Sequence, residues 1–365
     1  MSGRTFRAPG RVNLIGEHTD YNLGFVLPIA LDLATTIETA PATDGCLTVI
    51  SEAHRDRRSW PVAAIESAGR SNHWSDYILG VARELLREGV SLQPLSMTIR
   101  SDVPEGSGLS SSAALEVSSA LALLQGTHLS KLRVAQLCQR AEAEFVGMPC
   151  GIMDQFVSVF GHEQAAIMID CRSLDYQTVE MPGNLEILAV NSMVKHELGA
   201  SAYRTRVDEC EAAVQCIRLQ NPEVGSLRDA TPEMVEKAPM PRTIMRRARH
   251  IVSENQRVAL FVAAAAKGNL VRMGELFKES HRSMRHDYEI TCDEVDFLVD
   301  TAVGINGCFG ARMTGGGFGG CTVNLIDPNF VQYFAESIAT RYQERFGIQP
   351  AIIRCVPSGG ACEVE

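Results

Sequence analysis

A glycine- and serine-rich stretch between a predicted strand and a predicted helix constrains the fold of this chain most strongly. It reads Val103-Pro104-Glu105-Gly106-Ser107-Gly108-Leu109-Ser110-Ser111-Ser112. Alternating apolar residues predict a strand over 95–100, and apolar residues at helical spacing predict a helix over 113–125. Such a turn directs unpaired backbone N–H groups and the positive end of a helix dipole towards one point. We therefore predict an α+β fold with an anion site, for which phosphate is the natural occupant.

The residues of this stretch suit phosphate in two ways. Gly106 and Gly108 let the backbone approach a ligand closely, and the hydroxyls of Ser110, Ser111 and Ser112 can bind phosphate or a metal ion. The Walker pattern Gly-x-x-x-x-Gly-Lys-Ser/Thr is absent here, which excludes the P-loop of ATPases. Serines also commonly cap helices, and the residues alone leave that alternative open.

A cluster of polar residues lies near the start of the chain, between Ala8 and Asn22. It combines one arginine, one histidine and two carboxylates with apolar neighbours, namely Arg11, Glu17, His18 and Asp20. Carboxylates accept several hydrogen bonds from neighbouring hydroxyls, so the cluster predicts a site for a small, hydroxyl-rich ligand. Glu17 and Asp20 alone could belong to a solvated loop, and His18 alone could be a structural histidine. The proximity of all three to Arg11 favours a site.

Asp154 is a carboxylate whose neighbours in the sequence are mostly apolar, within Gly151-Ile152-Met153-Asp154-Gln155-Phe156. A buried acid must be paired or hydrogen-bonded, or its pKa rises. The sequence also permits a simpler role, in which Asp154 interacts with the dipole of a helix in its first turn.

The glycines of Met313-Thr314-Gly315-Gly316-Gly317-Phe318-Gly319-Gly320-Cys321 form a second glycine-rich loop. Gly315, Gly317 and Gly320 match Gly-x-Gly-x-x-Gly, yet a strand is predicted over 321–326 where a dinucleotide-binding turn requires a helix. The chain also lacks the full catalytic-loop motif of protein kinases, His-Arg-Asp-Leu-x-x-x-Asn. The glycines of this loop could instead serve to allow tight packing between elements, without binding a ligand.

The length of 365 residues favours two domains. A boundary near Pro182, after a strand predicted over 165–170, gives two α+β halves, 1–182 and 183–365. Helices are predicted over 206–219 and 257–278. Four prolines between residues 222 and 241 predict loops or short broken helices there.

Composition excludes several classes of protein. A formal net charge of −10 argues against binding to nucleic acid or anionic lipid. Because the sequence has neither a signal-peptide pattern nor an apolar run of about 20 residues, we expect a cytoplasmic protein without membrane contact. Eleven cysteines without a Cys-x-x-Cys pair favour neither a disulfide framework nor a zinc site.

Taken together, these motifs resemble those of the galactokinases, within the group that also contains the homoserine, mevalonate and phosphomevalonate kinases. The likeness rests on the Ala8–Asn22 stretch, on Pro-x-Gly-x-Gly-Leu-Ser-Ser-Ser-Ala and on Gly-Ile-Met-Asp-Gln, and it extends from Ala8 to the C-terminus. The resemblance implies a ribosomal-S5-like N-terminal half, a ferredoxin-like C-terminal half and an active site between them. It also implies a monomer that phosphorylates the anomeric hydroxyl of galactose with ATP, giving galactose 1-phosphate, the first committed step of galactose use.

The resemblance assigns a role to each motif residue. Asp154 accepts the proton of the sugar hydroxyl while Arg11 stabilises the developing charge. The remaining implied sites are the sugar pocket (Glu17, His18, Asp20, Gly151, Tyr203), the nucleotide site (Gly106, Gly108, Leu109, Ser110, Ser111, Ser112, Trp74) and the Mg²⁺ ligands (Ser112, Glu142).

Some of these assignments have rivals in the sequence. By spacing alone, Glu144 could be the Mg²⁺ ligand in place of Glu142. Trp74 could equally be a core tryptophan. Arg204-Thr205-Arg206 stands where the family has adjacent arginines. The sequence also leaves two other functions open. One is the same chemistry on a related sugar, and the other is a catalytically silent sensor of galactose and ATP. The intact Ser112-Ala113-Ala114 argues against the sensor.

Overall fold

The computed structural model describes residues 3–195 and 199–364. The strands are β1 (Arg4–Asn13), β2 (Phe25–Val26), β3 (Pro28–Pro41), β4 (Cys46–Ser51), β5 (Asp56–Pro61), β6 (Leu95–Ser101), β7 (Ala165–Asp170), β8 (Tyr176–Glu180), β9 (Glu186–Lys195), β10 (Cys308–Thr314), β11 (Gly319–Ile326), β12 (Ala351–Arg354) and β13 (Cys362–Val364). The helices are α1 (Asp76–Arg87), α2 (Ser111–Leu124), α3 (Lys131–Arg140), α4 (Met153–Phe160), α5 (Gly199–Arg218), α6 (Pro232–Lys237), α7 (Arg242–Ala265), α8 (Leu270–Ser283), α9 (Asp293–Ala302) and α10 (Val331–Phe346). π-helical turns extend α3 over Ala141–Val146 and α8 over Met284–Tyr288.

The first half of the chain is built on a six-stranded sheet in the order β13-β1-β3-β6-β4-β5. Its pairs are antiparallel except β4 and β6, which run parallel because α1 lies in the connection between them. Apolar side chains of the strands, such as Ile37 and Met97, share a core with Leu79 of α1 and Val117 of α2. This packing fixes the start of α2, and with it the serine-rich turn.

The second half contains an antiparallel sheet in the order β10-β11-β9-β12. Numbered along the chain, these strands run 2-3-1-4, which is the ferredoxin-like order that the resemblance implied. Leu298 of α9 and Ile338 of α10 pack together with Val190 of β9 in one core. Phe261 of α7 and Phe277 of α8 pack in another core with Val323 of β11. The expected α+β fold of two halves is confirmed.

The end of the chain returns to the first half. Strand β13 pairs with β1, with Glu363 opposite Phe6, and the Ser358 backbone N–H donates to Ala30 O at 2.9 Å. The boundary expected near Pro182 falls between β8 and β9 and stays a prediction.

Most expected elements are confirmed with ends that differ by a few residues, but the single helix predicted over 257–278 is wrong. The chain breaks there between α7 and α8, where Gly268 adopts a left-handed φ of +62°. Asn269 then caps α8 by accepting from the Arg272 backbone N–H at 3.1 Å. The apolar spacing continues across this break, and it concealed the Gly-Asn signal for a helix end and a new cap.

Two expectations from composition can be compared with the structure. The eleven cysteines are all free thiols. Within residues 3–195 and 199–364, every helix is too short or too polar to cross a lipid bilayer.

Candidate active site

A cavity of about 540 Å³ lies where the predicted motifs meet, a volume within the usual range for small-molecule sites. Its walls come from the end of β1, the turn before α2, the start of α4 and the loop between β10 and β11. The predicted site residues that line it are Arg11, Glu17, His18, Asp20, Gly106, Gly108, Ser110, Ser111, Ser112, Glu142, Gly151, Asp154 and Tyr203.

Asp154 and Arg11 form a two-pronged ion pair on the cavity wall. Arg11 Nε donates to Asp154 Oδ1 at 2.8 Å, and Arg11 Nη2 donates to Oδ2 at 2.7 Å. Burial opposes the charge of Arg11, but Asp154 and Glu17 outweigh it and raise the pKa of Arg11. This geometry fixes the orientation of the carboxylate, which keeps about a quarter of its side chain exposed to the cavity.

We call residues 102–110, between β6 and α2, the phosphate turn, after the ligand that the sequence predicts for it. Ser110 connects this turn to the ion pair. Its hydroxyl donates to Asp154 Oδ2, and it makes no capping bond to α2. Its backbone adopts a left-handed φ of +60°, which is costly for a non-glycine residue and is typical of functional sites. Arg11 Nη1 also donates to Gly108 O at 2.5 Å. The capping alternative therefore does not describe Ser110, whose hydroxyl serves the ion pair.

The two glycine-rich segments approach each other closely. A Cβ on Gly315 would lie 3.1 Å from Gly108 O, and a Cβ on Gly320 would lie 3.0 Å from Ser107 O. Both Gly315 and Gly320 also have positive φ angles, of +88° and +79°. The loop between β10 and β11 packs against the phosphate turn as the packing alternative expected, and it lines the cavity as well.

We call residues 13–20 the sugar loop, after the ligand that the sequence predicts for them; the segment begins at the last residue of β1. Within it, Glu17 is only 2% exposed. Its Oε1 accepts from the Gly315 backbone N–H at 3.1 Å and lies 3.4 Å from Arg312 Nη2. Burial raises the pKa of Glu17, although Arg312 and Arg11 oppose that effect.

His18 has protein partners at both ring nitrogens. Nε2 lies 3.3 Å from Gly316 O, which can only accept, and Nδ1 lies 2.8 Å from the Tyr21 hydroxyl. Burial and the neighbouring His250 lower the pKa of His18 to about 3, so the ring is neutral at physiological pH. The proton is therefore on Nε2, and the Tyr21 hydroxyl donates to Nδ1.

The hydroxyl of Tyr21 continues this hydrogen-bonded series away from the cavity. It lies 2.7 Å from the Tyr288 hydroxyl, which in turn lies 3.1 Å from Cys210 Sγ. On the cavity side, the ring of Tyr203 lies 4.9 Å from that of His18 and within 3.5 Å of the position a Gly316 Cβ would occupy. These aromatic rings form an apolar wall beside the carboxylates, and such walls are common in small-molecule sites.

Asp20 lies against Gly151. A Cβ on Gly151 would fall 2.0 Å from Asp20 Oδ2, so any larger residue at this position would displace the Asp20 side chain. Burial is the main cause that raises the pKa of Asp20 to about 7, and the negative charge of Asp154 adds to it. Ligand hydroxyls that donate to Asp20 would therefore favour its ionised form.

Glu142 lies in the π-helical turn after α3, a type of turn that is frequent at functional sites. Gln155 Nε2 donates to Glu142 Oε2 at 2.6 Å, and Ser112 is a further hydrogen-bond partner. Burial and Asp154 raise the pKa of Glu142 to about 7. Glu144 points outward instead, with 62% of its side chain exposed, and pairs with Arg87 at 3.7 Å.

The structure separates two predicted residues from the cavity. Leu109 is fully buried in the core, while its backbone oxygen accepts from the Arg11 N–H at 3.0 Å. Trp74 stacks on His54 at 5.7 Å and donates to Asp56. Tyr77, three residues later in the same segment, lines the cavity in its place.

Some lining residues were not predicted as site residues, namely Met148, Cys150 and Phe318. Cys150 could have been found from its place beside Gly151. The arginine at the departure from the family pattern, Arg206, faces elsewhere: its Nε donates to Tyr288 O at 2.6 Å. Arg206 therefore supports the segment behind the aromatic wall.

The fold and the site together define the GHMP class of small-molecule kinases. The family described as GHMP kinases N terminal domain matches residues 76–162, and GHMP kinases C terminal matches residues 261–338. A solved mevalonate kinase shares the fold at a TM-score of 0.69 and 18% identity, covering 97% of this chain and 98% of its own.

More specific matches point to one branch of that class. The galactokinase galactose-binding signature matches residues 2–41. The galactokinase of Roseiflexus sp. is 42% identical over 98% of this chain and 92% of its own length, and that of Thermosipho africanus is 41% identical over 98% and 99%. The Lactococcus lactis galactokinase, solved in complex with galactose, matches with a TM-score of 0.94 and 33% identity over 99% of this chain and 95% of its own. The chain belongs to the galactokinase family.

Proposed function

We propose that this protein transfers the γ-phosphoryl group of ATP to the anomeric hydroxyl of galactose, giving galactose 1-phosphate and ADP. The observation that carries the proposal is the Asp154–Arg11 pair, which lies between the phosphate turn and the sugar loop. The galactokinase of L. lactis, which was solved with galactose, supports the choice of sugar.

In the proposed reaction, the anomeric oxygen attacks the γ-phosphorus while the bond to the ADP oxygen breaks. The hydroxyl proton passes to a carboxylate oxygen of Asp154, which keeps acceptor capacity beyond its bonds to Arg11 and Ser110. Arg11 donates to both carboxylate oxygens of Asp154 and stabilises negative charge beside the reacting oxygen. Positioning and charge stabilisation are the main requirements of phosphoryl transfer, and the Asp154–Arg11 pair supplies both.

The turn between β6 and α2 is proposed to hold the phosphates of ATP. Its glycines Gly106 and Gly108 have φ angles of +68° and +79°, and α2 begins directly after Ser110. Backbone N–H groups and the positive end of the α2 dipole therefore face the cavity. This arrangement binds an anion without a Walker lysine.

Ser112 and Glu142 are the residues we propose to hold Mg²⁺. The fit rests on their chemistry, since hard oxygen donors suit Mg²⁺ and the buried carboxyl of Glu142 has a pKa of about 7 that a cation would lower. When bound, Mg²⁺ would neutralise phosphate charge. Glu144 faces away from the cavity and pairs with Arg87.

The proposed sugar site consists of Asp20, Glu17, His18, Gly151 and Tyr203. Asp20 offers carboxylate oxygens to hydroxyls, and Gly151 leaves the space that this contact needs. Because both nitrogens of His18 already bond to protein, its ring acts mainly as a wall beside Tyr203.

A coupled assay of ADP release tests the function. Galactose with Mg-ATP should give turnover, and a panel of galacturonate, N-acetylgalactosamine and L-arabinose should give at least about tenfold lower kcat/KM. Preference for another sugar would change the substrate and keep the chemistry. Binding of galactose and ATP without turnover would indicate a sensor and contradict the proposal.

We further propose that the protein acts as a monomer in the cytoplasm. Size-exclusion chromatography with light scattering would test the first point, and a fluorescent fusion would test the second. A dimer or a membrane-associated signal would contradict the respective part.

A further inference from the structure

A cluster of buried charges lies beneath the sugar loop and outside the cavity lining. Arg312 of β10 and Glu254 of α7 are both fully buried. Groups that are this buried and charged are retained only where partners compensate their desolvation, and apolar residues of similar size often stabilise a fold as well. The cluster therefore calls for a role beyond stability.

Arg312 contacts the backbone and a side chain of the sugar loop. Its Nη1 donates to Leu14 O at 2.6 Å. Its Nη2 lies 3.4 Å from Glu17 Oε1 and 3.8 Å from Glu254 Oε1. One guanidinium thus reaches the loop at two points.

Glu254 contacts the backbone of the same loop. Its Oε1 accepts from the Gly16 backbone N–H at 3.0 Å and from Ser280 Oγ at 2.7 Å, and its Oε2 accepts from Arg257 Nε at 2.6 Å. Burial alone would raise the pKa of Glu254, but Arg257 and Arg312 outweigh it and hold that pKa well below its usual value.

We propose that Arg312 and Glu254 are positioning residues that set the geometry of the sugar loop, an inference that rests on the proposed function. They hold the backbone at residues 14–16 and one oxygen of Glu17. The same Glu17 Oε1 accepts from the Gly315 backbone N–H. We call Arg312 and Glu254 the clamp. Through Glu17 it connects the sugar loop to the loop between β10 and β11, so the positions of these two cavity walls depend on each other.

The variants R312K and E254Q test the clamp, with R247K as a matched control. Arg247 of α7 is also buried, at 3% exposure, and donates to Glu209 Oε2 at 2.8 Å and to Asp287 O at 2.6 Å, away from the cavity. We would measure KM for galactose and for ATP, kcat, and hydrogen exchange of residues 13–20 in the ligand-free protein.

For R312K and E254Q we expect kcat/KM for galactose to fall at least about tenfold, while KM for ATP stays within about threefold. Exchange in residues 13–20 should be faster in both variants and unchanged in R247K. Equal losses in R247K, or unchanged exchange and galactose KM in folded R312K or E254Q, would overturn the proposal. If one variant does not fold, the other decides. A wild-type protein inactive on galactose would refute the proposed function, whereas the exchange measurement would still decide the clamp.

Discussion

Single residues in the cavity show how several carboxylates can lie close together. Asp154 is paired with Arg11, whereas Asp20 and Glu142 have pKa values raised to about 7. Burial is the main cause of both shifts, and the charge of Asp154 contributes to each. Pairing with Arg11 thus compensates the charge of the proposed proton acceptor, whereas burial favours the protonated forms of Asp20 and Glu142.

The substitution D154N should abolish most turnover. The amide keeps the shape of the side chain but cannot accept the proton as a carboxylate does, so we expect kcat to fall by roughly 10³. Steady-state kinetics and ATP binding by calorimetry would measure this. The control D175N alters an exposed aspartate and should leave kcat unchanged. Retention of more than about a tenth of kcat in D154N would exclude Asp154 as the proton acceptor.

The substitution G151A should impair sugar binding. The added methyl group would overlap Asp20 Oδ2 at 2.0 Å and displace that carboxylate, so we expect KM for galactose to rise at least about tenfold. The control G183A adds a methyl group where nothing lies within 4 Å. A galactose KM in G151A equal to that of G183A would show that Asp20 does not bind the sugar.

The contribution of Asp20 to the stability of the ligand-free protein should decrease as pH rises from about 4 to 7. Folding raises the pKa of Asp20 from 3.8 to about 7, so the native state binds the extra proton in this window. Its contribution is present below the unfolded pKa and is lost as pH passes the folded pKa, by at most about 1.4 kcal/mol per pH unit.

Urea unfolding at pH 5, 6, 7 and 8 measures this effect. The variant D20N has no proton to release at this position, so its free energy of unfolding should fall less steeply than that of the wild type. Identical slopes for the two proteins would show that Asp20 ionises normally in the native state.

The roles predicted for Arg11 and Asp154 came from the resemblance of their motifs to a family, because the residues alone also allowed Asp154 a simpler role at the start of a helix. The sequence did not indicate Arg312 or Glu254. Glu254 and Arg257 have the spacing of an ordinary surface pair on a helix, and only the packing of α7 against the sugar loop buries them. Burial of a charge is a tertiary property that local sequence does not encode.

At the level of elements, the π-helical turn after α3 separates two glutamates of similar sequence context. Residues two apart on a helix point in different directions, so Glu142 faces Ser112 and Gln155 while Glu144 faces solvent. Spacing alone could not choose between them, because the choice depends on the rotation of α3.

The pair E142Q and E144Q tests the metal site. Removing the charge of Glu142 should raise the Mg²⁺ concentration for half-maximal activity at least about tenfold, whereas E144Q should leave it unchanged. Calorimetric titration of the ATP complex with Mg²⁺ provides a second readout. An effect of E144Q that equals or exceeds that of E142Q would move the proposed site.

Local elements were predicted best where one signal dominated. The strand over 165–170 and the short helix in the proline-rich segment follow from local pattern. The break between α7 and α8 did not, because the apolar spacing continued past Gly268 and the periodic signal outweighed the local one.

At the level of the whole molecule, the site is assembled from distant parts of the chain. Arg11 and Asp154 are 143 residues apart, and Glu17 and Gly315 are 298 residues apart. The sequence indicated that the motifs belong to one site through their resemblance to a family. The return of β13 to β1 had no such signal, because edge pairing of a three-residue strand depends on where the chain end lies in space.

The identity of the product tests the proposed reaction most directly. Wild-type protein incubated with galactose and Mg-ATP should yield galactose 1-phosphate, identified by ³¹P and ¹H NMR from coupling between the phosphorus and the anomeric proton, and D154N should yield almost none. A phosphate on another hydroxyl, or ADP formed without a sugar phosphate, would contradict the placement of the anomeric hydroxyl beside Asp154 and Arg11.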